Sequence, residues 1–345
     1  MNAGSPAGVV ADDAPAAPPS SRSGRRKLDL KSVGELGAFV VMVVVFTALN
    51  PGTFLTAKNI QTILNQSAIP LVIAVGATLV ILMGSIDLSV EGVMGAAGMT
   101  FVLMNANSRG SHDYGVVTAL IVALVVGVVL GLASGLIHTR LKVPSFIVTL
   151  GVWYVGLGIA TLMFGTEAIP FLSDNGLKAW PSDNTLGLPH SFWLALVVVA
   201  LGLALGRYTR LGRFAYAIGN NEQIALANGV PVARNKVIIF ALAGACSALG
   251  GVLGSIQLGA GSATVGIGSL FLTIAAVVIG GTSLGGGTGG ILRSLLGVLL
   301  LTTLNNGLIL SGVSPNIQSG VSGLVLVAAI VAAAWPHRGR LRVTK

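Results

Sequence analysis

Apolar runs close to the length of a bilayer crossing recur through most of this chain, and that recurrence restricts its possible folds more than any motif does. The runs lie at about 33–49, 68–84, 88–104, 115–137, 145–165, 191–206, 237–258, 265–281, 290–310 and 317–335. A helix that crosses the hydrocarbon core, roughly 30 Å thick, needs about 20 apolar residues. Several runs are nearer 17 residues, a length that a packed, partly tilted bundle tolerates. Hydrophobic residues make up 53% of the chain and charged residues 9%, with a mean hydropathy of +0.88. The expectation is an all-α, polytopic membrane protein of about ten transmembrane helices.

The distribution of charge orients those spans. Residues 1–32 are rich in Ala, Pro and Ser and end in Arg22, Arg25, Arg26, Lys27 and Lys31; they lack the apolar content for a core and read as a disordered tail. The run after them reads as an uncleaved signal anchor, since no small-residue cleavage site follows and Asn50-Pro51-Gly52 closes it as a turn. With ten spans and both N- and C-termini cytoplasmic, 17 of the 20 Lys and Arg residues face inside, as the positive-inside rule requires. Lys58, Arg109 and Lys178 fall outside, among Asp113, Glu167, Asp174 and Asp183. Residues 33–336 then form the transmembrane domain and 337–345 a basic cytoplasmic tail. The net charge of +9 reports topology and implies no nucleic-acid partner. The single cysteine, Cys246, rules out a disulfide framework or a cysteine metal site.

Glycine, at 48 residues, points to close helix packing. Gly127, Gly131 and Gly135, then Gly202 and Gly206, then Gly250 and Gly254, stand at GxxxG spacing, which lets helix backbones approach closely in lipid.

One basic island, Arg207 to Lys236, is too polar to cross a bilayer. Asn220 is a candidate N-cap, with Gln223 three residues on and Glu222 in the first turn, before Gly229 and Pro231 stop the helix. The expectation is a helix of about eight residues, Asn221 to Asn228, roughly 12 Å long, with Ile224 and Ala227 or Asn228 on one side. Such an element would dock a cytoplasmic partner.

Few ionisable groups enter the spans. In GSIDLSVEG, Asp87 and Ser89 are candidate caps for the following helix, and Glu91 is the acid placed well inside a span, near its inner end, where it can snorkel or pair with a cytoplasmic cation. His112, His138, His190 and His337 lie in loops or at span ends. This scarcity argues against an ion-coupled secondary transporter, the alternative reading. Gln257, Thr302, Thr303, Asn305, Asn306 and Gln318 can line a path for a neutral polyhydroxylated solute or bond helix to helix. The chain has no Gly-Lys dipeptide and so no phosphate loop; GGTSLGGGTGG reads as a tight cytoplasmic connection, its Gly281-Thr282-Ser283-Leu284-Gly285 has GxSxG spacing without the strand-to-helix context of a nucleophile elbow, and no HExxH motif is present. No catalytic residue, metal site or bound cofactor is expected, and any ATP must be hydrolysed by another polypeptide.

Four stretches in order carry a resemblance: GSIDLSVEG at 84–92, LGRFAYAIGNNEQIALANGV at 211–230, IAAVVIGGTSLGGGTGG at 274–290 and NNGLILSGVSPNIQSGVSG at 305–323. With the matching span count the chain resembles, over about residues 36–335, the ribose-type permeases of ATP-binding-cassette importers, related to branched-chain amino-acid permeases. The resemblance implies sugar import across the bacterial cytoplasmic (inner) membrane by a permease dimer in alternating access. It also implies a cytoplasmic ATPase with two nucleotide-binding domains, which carries ATP and Mg, and a periplasmic or lipid-anchored sugar-binding protein. In that family the segment between the sixth and seventh helices is a cytoplasmic coupling loop, so Arg213, Gly219, Asn220, Asn221, Glu222 and Ala225 belong by resemblance to the coupling element. Gly84, Asp87, Ser89, Gly280, Gly281, Thr282 and Ser283 are family-motif residues near the pathway or a turn, and Asn305, Asn306 and Gln318 are candidate pathway groups. The chain departs from the family pattern at Ser85, Glu91 and Asn220, and its docking helix lacks the usual arginine.

Overall fold

A computed structural model of the chain describes residues 30–314 and, beyond them, residues 317, 318, 320, 321, 323, 324 and 327. The expected N-terminal tail falls outside the described residues up to residue 29, the run at 317–335 falls mostly outside them, and the C-terminal tail falls wholly outside.

The helices are α1 (Leu30–Leu49), α2 (Ala57–Leu82), α3 (Val90–Leu103), α4 (Val116–Arg140), α5 (Ser145–Phe164), α6 (Asn175–Ala179), α7 (His190–Tyr208), α8 (Arg210–Asn220), α9 (Glu222–Ala227), α10 (Val232–Leu258), α11 (Ser269–Ile279) and α12 (Ile291–Leu310). Among the described residues α2, α4, α5, α7, α10 and α12 are long and apolar enough to cross a membrane, and Gly37–Leu49, α3 and α11 are shorter apolar helices. Nine of the ten expected runs coincide with these elements. Among the described residues the strands are a hairpin of β1 (Asn184–Thr185) and β2 (Leu188–Pro189), turned at Leu186 and Gly187, both with positive φ.

Helix α10 is the packing axis, in contact with α4, α3 and α2. Small residues make this possible. A Cβ added at Gly135 would stand 2.7 Å from Val237 Cα, at Gly251 2.6 Å from Met94 Cα, and at Gly76 2.7 Å from Ala243 Cα. The expected stripe Gly127, Gly131, Gly135 thus faces α10 backbone. Gly202 packs on Val75, whereas its spaced partner Gly206 has nothing within 4 Å of a Cβ position. Spacing identifies a small residue but not which helix face meets a neighbour.

Two of the apolar helices are short and follow irregular chain. Helix α3, with 14 residues, and α11, with 11, rise about 21 and 16 Å, too short for a core roughly 30 Å thick. Each is preceded by irregular chain, 83–89 before α3 and 259–268 before α11. Irregular backbone at that depth is tolerated when it is buried in protein with its polar groups satisfied. The amides of Ile86 and Leu88 donate to Ser145 Oγ and Thr149 Oγ1 of α5, both at 3.0 Å, and Ser89 N donates to Asp87 Oδ1 at 2.8 Å.

At the other end, three loops knit a cap. Ser108 N donates to Phe171 O and Gly261 N to Pro170 O, both at 2.8 Å. Arg109 Nη2 donates to Phe164 O at 2.7 Å, and its Nε lies 3.5 Å from Glu167.

Candidate functional site

Three of the four motif stretches, far apart in sequence, converge at one end of the bundle. The C-terminus of α2 is closed by Gly84, at φ 72°, with Gly84 N bonded to Ile81 O and Ser85 N to Val80 O, a Schellman arrangement that needs a left-handed residue. The end of α11 repeats it: Gly280 is the cap residue, Gly281 has φ 80°, and Thr282 N donates to Val277 O at 3.1 Å. The 280–290 turn then holds itself, with Thr282 Oγ1 accepting from Gly290 N and Ser283 Oγ from Gly285 N, both at 3.2 Å. Gly287 N donates to Leu82 O at 3.0 Å and joins the two turns.

Helix α8 closes the junction. It is capped by Thr209, whose hydroxyl accepts from Gly212 N, and buries Gly212, Ala215 and Ile218 while Arg210, Arg213, Ala217 and Asn220 stay exposed. That 3–4 spacing marks an amphipathic helix lying on the bundle end. The island therefore holds two helices, not one. Tyr216 OH donates to Gly289 O at 3.0 Å, and Asn220 Nδ2 donates to Tyr216 O at 2.8 Å and Gly287 O at 3.3 Å. Burial raises the Tyr216 pKa above 10.0, against a smaller lowering by Arg293, so the phenol remains a donor at neutral pH. Gly219 fits because nothing larger can: a Cβ there would run into Leu82 O and Gly287 N.

The short helix of the island begins one residue later than expected. Asn221, at φ −162° and ψ 108°, is the N-cap of α9, and its Oδ1 accepts from Ile224 N at 3.0 Å. Asn220 is not the cap, because it is the last residue of α8 and its amide is engaged with the 280–290 turn; Gln223 accordingly forms no capping box with it. The helix has six residues, about 9 Å, and ends in a Schellman motif with Gly229 at φ 77° and Val230 N on Ala225 O at 3.1 Å. Ala225 is its one buried residue, and Ile224 and Leu226 are 61% and 55% exposed. Ile224, Ala227 and Asn228 are all exposed, as the spacing predicts, and Leu226 is exposed as well. Glu222 bonds Lys236 Nζ at 2.8 Å.

The remaining motif residues serve the starts of the short helices α3 and α11. Asp87 does not cap α3: its Oδ1 accepts from Ser89 N and, at 2.6 Å, from Ser89 Oγ, and Ser89 is the N-cap residue without a side-chain cap bond. The extended segment places the carboxylate short of the first turn. Glu91 neither snorkels nor meets a cation. It is buried, and its Oε1 accepts from Gly268 N at 3.0 Å and Leu270 N at 3.2 Å, so it caps α11 from another helix where Gly268 has no side chain to do so. Ser145, Thr149 and Lys236, which no motif marks, complete these sites; their signal is only that each carries a polar group at a helix start.

The fourth stretch stays apart. Asn305 and Asn306 lie in the last part of α12, Thr302 Oγ1 bonds back to Val298 O, and Gln318 Nε2 donates to Val313 O at 2.6 Å. Asn306 Oδ1 is buried without a partner among the described residues. Gln257 Nε2 donates to Asn65 Oδ1 of α2 at 3.0 Å, a bond between helices. A cavity of 80 Å³ lies beside Phe39, Ile279, Leu296 and Leu300 and is apolar. Among the described residues no cluster of His, Cys, Asp or Glu could hold a metal ion.

Residues 59–330 match the model of the family described as branched-chain amino acid transport system / permease component. The chain belongs to this permease family. Its similarity to the ribose import permease protein RbsC of Bacillus subtilis (strain 168) is 42% identity, covering 86% of this chain and 90% of that one. The probable ABC transporter permease protein YphD of Escherichia coli (strain K12) is 35% identical over 88% of this chain and 90% of its own. The L-arabinose transport system permease protein AraH of the same strain is 34% identical over 86% and 89%. No solved structure matches the chain. Permeases of this family are transport subunits and not enzymes, which agrees with the missing nucleotide site in the sequence.

Proposed function

We propose that this chain is the membrane permease of an ATP-binding-cassette importer that moves a sugar, a ribose- or xylose-like pentose, a hexose or a related polyol, into the cytoplasm. The single observation that carries the coupling part is α9: a capped helix that exposes every residue but Ala225 while its neighbours are locked to the ends of α2 and α11. A partner ATPase with two nucleotide-binding domains holds ATP and Mg and moves α9; Arg213, Gly219, Asn220, Asn221, Glu222 and Ala225 form or support the receiving surface. The gathering of Arg140, Lys142, Arg207, Arg210, Arg213, Arg234 and Arg293 at this end supports a cytoplasmic face, ten spans with both termini inside, and a place in the bacterial inner membrane.

A sugar-binding protein delivers solute to the opposite mouth, and two permease copies enclose the path. Alternating access follows because ATP can shift the permease only through a domain arrangement that prefers one of its conformations. The sugar class rests on the relatives named for ribose and L-arabinose import. Proteoliposomes holding the permease with its ATPase and binding protein should take up at least one of [14C]ribose, [14C]arabinose, [14C]xylose or [14C]galactose only with internal-facing ATP. Deletion of 220–228 should abolish both uptake and ATPase stimulation. Uptake without the ATPase but dependent on an ion gradient would replace the reading with a secondary carrier.

A further inference from the structure

Between α9 and α10 the chain runs through a four-residue linker. Asn228, Gly229, Val230 and Pro231 link the two helices, Gly229 sits at φ 77°, and Pro231 is exposed. A push on a six-residue helix standing on such a linker would be absorbed by rotation about it, unless a second contact fixes its angle. Beside the burial of Ala225, Lys236 supplies such a contact. Its side chain, only 9% exposed, lies one turn into α10 and reaches Glu222 Oε2 at 2.8 Å.

The same ammonium is 3.5 Å from His138 Nε2, near the end of α4. His138 Nδ1 is 2.7 Å from Val143 O, a carbonyl that can only accept, so Nδ1 carries the proton and Nε2 offers a lone pair toward Lys236. The His138 ring also stands edge-on to Phe240 of α10 at 5.9 Å. One buried cation therefore ties α9 to both α10 and α4. Those two helices are in turn locked by backbone contact at Gly131, Gly135 and Gly244, and α10 is locked to α3 at Gly251. At the far side of that block, Glu91 of α3 holds the N-terminus of α11.

We propose that Lys236 is a positioning residue that braces the docking helix against the α10–α4 pair, so that displacement of α9 turns the α10–α4–α3 block instead of the linker. The inference rests on the proposed coupling of α9 to an ATPase. Neither the ATPase nor the sugar need touch Lys236 for the brace to act.

The test compares wild type, Lys236→Met and Lys236→Arg in the full complex in proteoliposomes, using whichever of the four labelled sugars the wild type carries. Assembly with the ATPase, ATP turnover and uptake are measured together, with amide hydrogen exchange over residues 222–230. Lys236→Met should assemble and hydrolyse ATP normally, exchange faster over 222–230, and lose about tenfold in sugar moved per ATP, within the usual range of coupling between sites. Lys236→Arg should keep the ratio, since a guanidinium can span the same acceptors. Wild-type uptake per ATP in Lys236→Met overturns the brace. So does a loss of uptake that only follows a loss of assembled complex, which is the mark of a merely structural lysine. If wild-type uptake itself needs no ATPase, the functional reading fails, whatever Lys236 does.

Discussion

Replacing Gly219 by alanine tests the junction of the three motif turns with a single methyl group. In an ordinary helix interior the change stabilises, by about 0.5–1 kcal/mol, because alanine loses less backbone entropy. Here the methyl meets Leu82 O and Gly287 N, backbone atoms that cannot swing aside, and those two atoms are themselves bonded at 3.0 Å. Overpacking of this kind costs about 1–3 kcal/mol, and breaking the Gly287–Leu82 bond adds about 1 kcal/mol. Set against the alanine gain, the net penalty is about 1–3.5 kcal/mol, and about 2 kcal/mol, near the middle of that range, is equivalent to about a 30-fold loss of the closed junction. Transport per ATP should fall by a similar factor, and the melting temperature of the purified permease should drop by about 4 °C or more. Gly158, in α5, has nothing within 4 Å of its Cβ position, so Gly158→Ala should leave both readings at or above wild type. A Gly219→Ala protein that melts and transports like wild type would refute the packing argument.

Two further outcomes follow from the corrected caps. Asn221→Ala should destabilise α9 by about 1 kcal/mol, seen as faster amide exchange at 223–228, while Asn220→Ala should leave α9 exchange unchanged and loosen the 280–290 turn instead. Glu91→Ala leaves the amides of Gly268 and Leu270 without their acceptor and should cost about 2–6 kcal/mol, since each buried donor left unsatisfied costs about 1–3 kcal/mol. Glu91→Gln, which keeps an acceptor oxygen, should lose less in the same melting assay; equal losses would mean the carboxylate does not hold α11.

Much of the site was legible in part. The island, its exposure and a short helix within it follow from local rules, because capping and helix-stop signals act over three or four residues. The choice between Asn220 and Asn221 as cap was not legible, since either places an amide oxygen near the helix start; it is decided by Gly287, 67 residues away, which engages Asn220. Helix α8 escaped notice because its arginines and glycines depress its apolar character, although Gly212, Ala215 and Ile218 carry the 3–4 spacing. Asp87 and Glu91 stand out in the sequence as acids among apolar runs, and their partners come from the Asp87–Ser89 turn and from α11.

By itself the sequence determined that the chain must live in lipid, roughly where its helices run, which end gathers cations, and that it carries no phosphate loop of its own. These are properties of composition and short-range order, and hydrocarbon enforces them by penalising every unpaired polar group. Only the tertiary structure decided that three distant glycine-rich turns form one junction, that two apolar helices are short and preceded by irregular chain, and that a buried lysine ties α9 to two long helices. Such contacts depend on how close two backbones can come. A glycine in a sequence permits that approach without saying which backbone will arrive.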